Sequence, residues 1–380
     1  MPRKNDCPFS RDDTKKVKGF AIMAMLLHHL FSFPTRIAGG GVWSFFGPSH
    51  NGHISLLGNF CKICVPLFLF LGGYGIYIQA KNKKYTILSS IKKLYLAYWK
   101  VFIIFIPIAF LLFSNQIAYC GESGIYSKYN RFSLLEVVQN FLGVSSTLQP
   151  EWWFLSAYVV AIISFPLWKY IFNKISAQMS VLLVVAVCFA MQYIFPAIGG
   201  MDSLGSMNRN YLYRVFLCQD GCFYACFLMG MLSAKYNWLA KAEALLREHF
   251  RINVVTSLIA IATMVVLRQK VTGQSLDMLY APAITICVIV IAKSLPVIGR
   301  MLMSIGKHST TMWLTHTFWC YYFYPVVQAV VWPRYAIACY VVLLAISYTF
   351  AFLFDGFWAL ISRAVAKLPR GRSAKQKIQA

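Results

Sequence analysis

Apolar runs long enough to cross a membrane recur along the whole of this 380-residue chain. A helix of about 20 apolar residues spans the hydrocarbon core, and in lipid only helices and closed barrels satisfy their own backbone hydrogen bonds. Charged residues make up only 13% of the chain, which argues against a soluble protein. We therefore predict an all-α, polytopic membrane protein with about ten transmembrane helices, at 18–33, 54–80, 94–114, 152–172, 180–196, 215–234, 254–267, 278–298, 311–331 and 336–361.

The positive charges favour one side of this topology. In the ten-span scheme, 26 of the 36 lysines and arginines fall in inner segments and eight in outer loops, and positive residues concentrate on the cytoplasmic side. We therefore expect a cytoplasmic N-terminal segment at 1–17, a transmembrane domain at 18–361 and a basic cytoplasmic tail at 362–380. The same bias accounts for the net charge of +24 without a nucleic-acid partner. No small-residue cleavage site follows the first span, so we expect that helix to be retained.

Two connecting segments have apolar residues at helical spacing. They are residues 132–142, in the longest outer loop, and residues 235–253, on the inner side. This pattern predicts amphipathic helices, which lie at the membrane surface or, for the outer one, close over a site.

The first span carries ionisable residues, which are costly in hydrocarbon and are therefore functional candidates. Lys18 and His29 are eleven residues apart, which is about 1100° of helical rotation and within about 20° of three full turns. The two side chains should therefore share one stripe of the helix, roughly 16 Å apart along its axis. His28 lies about 100° off that stripe, and we interpret it as a packing or hydrogen-bonding neighbour.

Four segments in order resemble the integral-membrane acyltransferase 3 family over most of the chain, from residue 15 to about 360. They are the stretch from Lys18 to His29, Val65-Pro-Leu-Phe-Leu-Phe-Leu-Gly-Gly-Tyr74, Glu151-Trp-Trp-Phe-Leu-Ser-Ala-Tyr158 and Gly306-Lys-His-Ser-Thr-Thr-Met-Trp-Leu-Thr-His316. The chain departs from the family pattern at Lys18, where arginine is usual, and at Gly72, where serine is usual. Lysine keeps the positive charge but loses the bidentate fork of arginine.

The resemblance implies an acyl-CoA-dependent O-acyltransferase. Such an enzyme moves an acyl group, most often acetyl from acetyl-CoA, to a hydroxyl of an extracytoplasmic glycan or lipid-linked sugar, commonly a surface polysaccharide of a bacterial cell. We expect acyl-CoA as a co-substrate, no permanently bound cofactor, membrane lipids as surroundings and a bacterial inner membrane as location. Histidine suits base catalysis near neutral pH, so His29 is the candidate catalytic residue. The sequence leaves open whether His29 deprotonates the acceptor hydroxyl or takes the acyl group itself.

CoA is a polyanion with a long arm, so a cation at the inner end of the stripe and a histidine deeper in the membrane suit it. We predict CoA contacts from Lys18, Lys92, Lys93, His308 and Ser309. The alternatives are positive-inside topology for Lys92 and Lys93, and a helix cap for Ser309.

The acceptor side is predicted from the start of the fourth span, where Glu151, Trp152 and Trp153 stand together. Aromatic faces beside a carboxylate suit a sugar. With Tyr158 of the same segment they are the candidate substrate-binding residues. The alternative for the tryptophans is the aromatic belt at the membrane surface.

The remaining reactive residues have structural interpretations. Asp220 inside the sixth span needs a partner, for which Lys62 or Lys100 would serve. His50 and His53 are interpreted as a solvated loop pair rather than a metal or acceptor site. The eleven cysteines are scattered, so we expect them to pack between helices and predict no metal site.

A membrane transporter or flippase is the alternative function of a different class. It would relay protons or substrate through His29, Asp220 and Lys62. Transporters often have inverted halves with paired broken helices, and the sequence shows no such internal symmetry. A structural or signalling scaffold would leave the stripe of Lys18 and His29 unexplained.

Overall fold

The computed structural model describes residues 9–33, 36, 43–44, 47–48, 53–82, 84–114, 129–201, 210–218 and 223–367. Helices follow one another through most of these residues, so the all-α class is confirmed. They are α1 (Arg11–Phe31), α2 (His53–Phe60), α3 (Cys64–Lys81), α4 (Ile87–Leu112), α5 (Leu134–Phe141), α6 (Trp153–Lys174), α7 (Ala177–Phe189), α8 (Phe195–Gly199), α9 (Tyr211–Tyr213), α10 (Phe223–Tyr236), α11 (Trp238–Phe250), α12 (Val254–Leu267), α13 (Asp277–Ser294), α14 (Pro296–Lys307), α15 (Ser309–Thr317), α16 (Tyr324–Val331) and α17 (Ala336–Lys367).

Shorter elements join several of these helices. Two 3₁₀ segments precede α3 and α6, and four π-helical segments follow α7, α9, α12 and α15; these are Cys61–Ile63, Pro150–Trp152, Ala190–Ile194, Arg214–Cys218, Arg268–Thr272 and Phe318–Tyr322. Two two-residue strands, β1 (Trp43–Ser44) and β2 (Gly47–Pro48), pair antiparallel, with Trp43 opposite Pro48.

Seven helical runs among the described residues are long and apolar enough to cross a membrane, which confirms a polytopic membrane protein. They are Ile54–Lys81, Ile87–Leu112, Pro150–Lys174, Ala177–Gly199, Val254–Thr272, Asp277–Ser294 and Ala336–Ala366. Three predicted spans are not among these seven. The helix of the first, 18–33, begins with charged turns; the sixth, 215–234, includes residues that the structure does not describe; and the ninth, 311–331, is interrupted at Phe323. The count of ten therefore stays a prediction.

Helix α1 begins seven residues before the predicted first span, at Arg11. The side chain of Ser10 accepts a hydrogen bond from the backbone N–H of Asp13, and the Asp13 carboxylate accepts one from the backbone N–H of Ser10. This reciprocal capping box satisfies two amide donors at the helix start. Burial alone would raise the pKa of Asp13, but hydrogen bonds from Ser10 and Lys16 outweigh it and lower that pKa. The predicted N-terminal segment 1–17 therefore contributes its last residues, from Arg11, to the helix.

Helix α1 lies at the centre of the bundle. It packs along α14 and also touches α2, α3, α13, α15 and α17. Gly19 and Gly306 let the backbones of α1 and α14 approach closely, because a Cβ at Gly19 would strike the carbonyl of Leu302 and one at Gly306 would strike that of Lys15. Gly73 of α3 and Gly230 of α10 make a second close crossing of this kind. Tight packing of this kind fixes α1, and with it Lys18 and His29, against the surrounding helices.

The predicted amphipathic segments both form helices, α5 and α11. The apolar side of α5 is open, with Leu134 and Leu135 67% and 68% exposed. The other end of α5 is held to α4, because Tyr98 Oη donates to the carbonyl of Asn140 at 2.6 Å and Trp99 Nε1 to that of Phe141 at 2.9 Å. The segment that leads from α5 into Glu151 is thus anchored on the bundle.

Candidate active site

A cavity of about 220 Å³ opens where α1, α15 and the starts of α3 and α6 meet. Its polar wall consists of His28, His29, Arg36, Lys62, Glu151 and His316. The rest of its lining is mainly apolar and aromatic and includes Trp153, Phe154 and Trp313. We call it the histidine cavity.

His29 is half-buried at this cavity, and its contact with Tyr321 determines which ring nitrogen carries the hydrogen. The Tyr321 hydroxyl donates to the backbone carbonyl of His29, which belongs to the last turn of α1 and has no helical partner there. That hydroxyl has a single hydrogen, so its oxygen, 3.3 Å from His29 Nδ1, must act as the acceptor for Nδ1–H. Nε2 of the neutral ring therefore keeps its lone pair for chemistry.

His28 is buried and links α1 to α2. Its Nδ1 lies 2.9 Å from the carbonyl oxygen of Gly58 and 2.8 Å from Ser32 Oγ. A carbonyl can only accept, so Nδ1 carries the hydrogen. The structure therefore gives His28 a role in holding the helices, alongside its place in the cavity wall.

His316 faces His29 from α15, with the two ring centroids 4.8 Å apart. It is fully buried, and its Nδ1 lies 2.8 Å from the carbonyl oxygen of Trp313, so the hydrogen is again on Nδ1. Nε2 has no hydrogen-bond partner among the described residues. In the sequence this residue is marked only as the end of the fourth matching segment, and nothing there identifies it as catalytic.

The charged groups of the cavity are paired. Glu151 accepts hydrogen bonds from Arg36 Nη1 at 3.1 Å and from Tyr322 Oη at 3.2 Å. The guanidinium carbon of Arg36 stands 4.3 Å from the ring centroid of Phe33, and Lys62 Nζ stands 5.3 Å from that of Phe223. Charges in an apolar setting persist only when paired in this way, so this wall is a stable polar surface beside the two histidines.

A second cavity, of about 90 Å³, lies against the first. Its lining includes Lys18, Tyr158 and Ser309, and it shares Phe154 and Trp313 with the histidine cavity. The rings of Phe154 and Trp313 meet edge to face, with centroids 5.3 Å apart. We call it the lysine cavity; only this aromatic pair is common to both cavities.

The structure brings together only two of the five predicted CoA contacts. Lys18 and Ser309 meet in the lysine cavity, whereas His308 turns to α17, with its Nδ1 2.6 Å from Asp355 Oδ2. Lys92 and Lys93 are exposed on α4 and do not line either cavity, but they directly precede Leu94, which lines the lysine cavity. Ser309 makes no side-chain cap for α15.

The predicted acceptor residues are also divided. Glu151 and Trp153 line the histidine cavity, while Trp152 is buried and donates through Nε1 to the carbonyl of Leu314 at 3.0 Å. Tyr158 lies in the lysine cavity, where its ring covers Gly72 so closely that a Cβ there would strike it. The glycine at this departure from the family pattern thus makes room for the tyrosine.

The structure shows a buried ion pair that was not predicted. Asp277 forms a buried pair with Arg268, which the ten-span scheme had placed in an outer loop. Asp220 and His50 lie outside the described residues, as does the His53 side chain, so predictions for them remain as stated. Within the described part, no group of three histidines, cysteines or acidic residues could hold a metal ion.

Comparison with known proteins agrees with the resemblance seen in the sequence. The model of the acyltransferase 3 family, described as an acyltransferase domain, matches residues 17–352. Comparison with curated proteins finds no match, and comparison with solved structures finds none. The match covers most of the chain and includes both cavities, so the chain belongs to the acyltransferase 3 family and is a membrane acyltransferase.

Proposed function

We propose that this protein transfers an acetyl group from cytoplasmic acetyl-CoA to a hydroxyl of an extracytoplasmic or lipid-linked glycan. The observation that carries the proposal is the pair of neighbouring cavities that share Phe154 and Trp313, one holding Lys18 and the other His29. A long, thin substrate with phosphates at one end and a thioester at the other suits this arrangement, and so does an acceptor that enters from the opposite side.

The lysine cavity is the proposed CoA side. Under the positive-inside rule, the basic residues near the start of α1 favour a cytoplasmic position for this end. Lys18 would meet a phosphate as a point charge, and the exposed Lys92 and Lys93 beside Leu94 would meet phosphates outside the cavity. The pantetheine arm would then pass along the wall formed by Phe154 and Trp313 to bring the thioester to His29.

The histidine cavity is the proposed acceptor side. A sugar needs hydrogen-bond acceptors for its hydroxyls and an aromatic face for its C–H surface. Glu151 and Trp153 offer these groups in one wall. His29 Nε2 is the unprotonated nitrogen that meets either the hydroxyl proton or the thioester carbon.

Loss of the protein from its cells should remove acetyl groups from one class of surface glycan. We would compare glycans from deletion cells and complemented cells by mass spectrometry, looking for loss and return of the acetyl mass. A complement carrying His29→Ala should not restore it, provided that the variant reaches the membrane in equal amount. Glycans that are identical in deletion and parent cells would refute the proposed acceptor class.

Lys18→Ala should weaken the interaction with acetyl-CoA. A charge-assisted hydrogen bond is worth about 1.5–3 kcal/mol, so we expect KM for acetyl-CoA to rise roughly tenfold to a hundredfold while kcat changes little. Steady-state release of the CoA thiol by the purified protein measures both constants. Lys18→Arg should retain most of the affinity, and Lys241→Ala, at an exposed lysine of α11, is the matched control. Unchanged KM in Lys18→Ala would remove Lys18 from the CoA site.

A further inference from the structure

His316 is buried, and one of its two ring nitrogens has no hydrogen-bond partner among the described residues. Its side chain has no solvent exposure, and its Nδ1–H is used by the carbonyl of Trp313, 2.8 Å away. Nε2 is therefore an acceptor, and no described residue donates to it. An unsatisfied buried polar atom costs about 1–3 kcal/mol, so one that faces a cavity is a candidate for contact with a substrate.

The position of the ring indicates which ligand. His316 lines the histidine cavity, 4.8 Å from His29 between ring centroids. In both rings Nδ1 holds the hydrogen, so Nε2 of His29 and Nε2 of His316 are both unprotonated. The two rings do not hydrogen-bond to each other through Nε2 of His316. A hydroxyl donor placed between them would satisfy that atom.

We propose that the two histidines act in turn, with His29 as the nucleophile and His316 as the base that activates the acceptor hydroxyl. This division of labour rests on the proposed acyl-CoA reaction. First, His29 Nε2 attacks the thioester carbonyl; the C–N bond forms, the C–S bond breaks, and CoA leaves as the thiolate. His29 then carries the acyl group as a cationic acylimidazole, with its Nδ1–H still held by Tyr321.

The second step needs another base, because the acylated Nε2 of His29 no longer has a lone pair. The acceptor oxygen attacks the acyl carbon as its proton passes to His316 Nε2. The C–O bond forms, the C–N bond breaks, and its electron pair returns to His29. His316 then loses the proton to water, and the CoA thiolate takes one up. Glu151 in the same wall is already engaged by Arg36 and Tyr322, whereas His316 Nε2 has no donor among the described residues.

His316→Asn tests this assignment because the asparagine amide can still donate to the Trp313 carbonyl while the basic nitrogen is lost. We would give the purified protein acetyl-CoA and membrane vesicles of the source cells and follow CoA release with a thiol reagent. The variant should release about one CoA per protein molecule and then turn over at least a hundredfold more slowly than the parent protein. His316→Gln, which keeps the side-chain length, should behave in the same way.

Hydroxylamine gives a readout that misfolding would not produce. It is a strong nucleophile that needs no base, so it should intercept the acylated His29 of His316→Asn, restore CoA release and form acetyl hydroxamate. His29→Ala should give no burst, and hydroxamate only at the rate at which hydroxylamine cleaves free acetyl-CoA without protein. Absence of the burst in both His316 variants, or turnover equal to the parent, would overturn the proposal for His316. Absence of CoA release by the parent protein with vesicles would instead overturn the proposed function.

Discussion

His29→Ala should lower the rate of acyl transfer by about 10²- to 10⁴-fold, the usual contribution of a positioned base or nucleophile of this kind. The protein should remain folded, because the ring is only half-buried at a cavity. The hydrogen bond that Tyr321 donates to this residue goes to the backbone carbonyl, which the alanine variant keeps. The loss should therefore fall on kcat rather than on the amount of protein in the membrane. Release of CoA thiol from acetyl-CoA, at equal protein concentration, measures it.

Variants of two other histidines test whether an effect of His29→Ala is catalytic or structural. His249→Ala, at an exposed position of α11, should leave both rate and stability unchanged. His28→Ala removes the donor to the buried Gly58 carbonyl, so it should lower the free energy of unfolding by about 1–3 kcal/mol. If His28→Ala loses transfer as completely as His29→Ala does while its stability is intact, the roles assigned to the two neighbours are wrong.

The relation between Lys18 and His29 was predictable because it depends on one continuous helix. A period of 3.6 residues fixes the direction of two side chains on the same helix whatever packs around it. The structure places both residues on α1, at neighbouring cavities with two shared wall residues. The early start of α1 was also readable, because Ser10 and Asp13 have the spacing of a capping box.

The partners of His29 could not be predicted in this way. Tyr321 lies 292 residues further along the chain and reaches His29 from a π-helical turn, which has no reliable signal in a single sequence. His316 was visible as the end of a matching segment, but its free nitrogen depends on the tautomer that the Trp313 carbonyl selects. The first fact depends on a contact between distant parts of the chain, and the second on a hydrogen bond within α15 that residue type and spacing do not specify.

The pair of Arg268 and Asp277 is the other feature that local pattern concealed. Arg268 stands in a π-helical turn after α12 and Asp277 begins α13, so by hydropathy both lie at segment ends. In the fold they are 4% and 0% exposed and form two hydrogen bonds, Nε to Oδ1 at 2.7 Å and Nη2 to Oδ2 at 2.9 Å. Arg268 Nη1 also donates to the carbonyls of Asn59 and Phe60, at 3.3 and 3.4 Å.

These carbonyls lie where α2 gives way to the 3₁₀ segment Cys61–Ile63. The next residues along the chain include Lys62 in the wall of the histidine cavity, and Gly58, just before, accepts from His28. Arg268 therefore holds the stretch of backbone that carries Lys62 and that accepts the hydrogen bond from His28. Asp277 in turn holds Arg268 by a bidentate contact, the strong form of such a pair.

Asp277→Ala should lower the free energy of unfolding by about 3–5 kcal/mol, because it leaves a buried guanidinium without its counter-charge. Chemical denaturation in mixed micelles would measure the change. The matched control is Glu243→Ala, which breaks pairs with the exposed Arg247 and Lys293 and should cost at most about 1 kcal/mol. A double variant with Arg268→Met and Asp277→Leu should regain much of the lost stability, since an apolar pair has no charge to desolvate.

The rate of acyl transfer in this double variant should be lower than in the parent protein, because the Asn59 and Phe60 carbonyls have lost the donor that fixes the backbone before Lys62. Full activity in that variant would show that the pair contributes to stability alone.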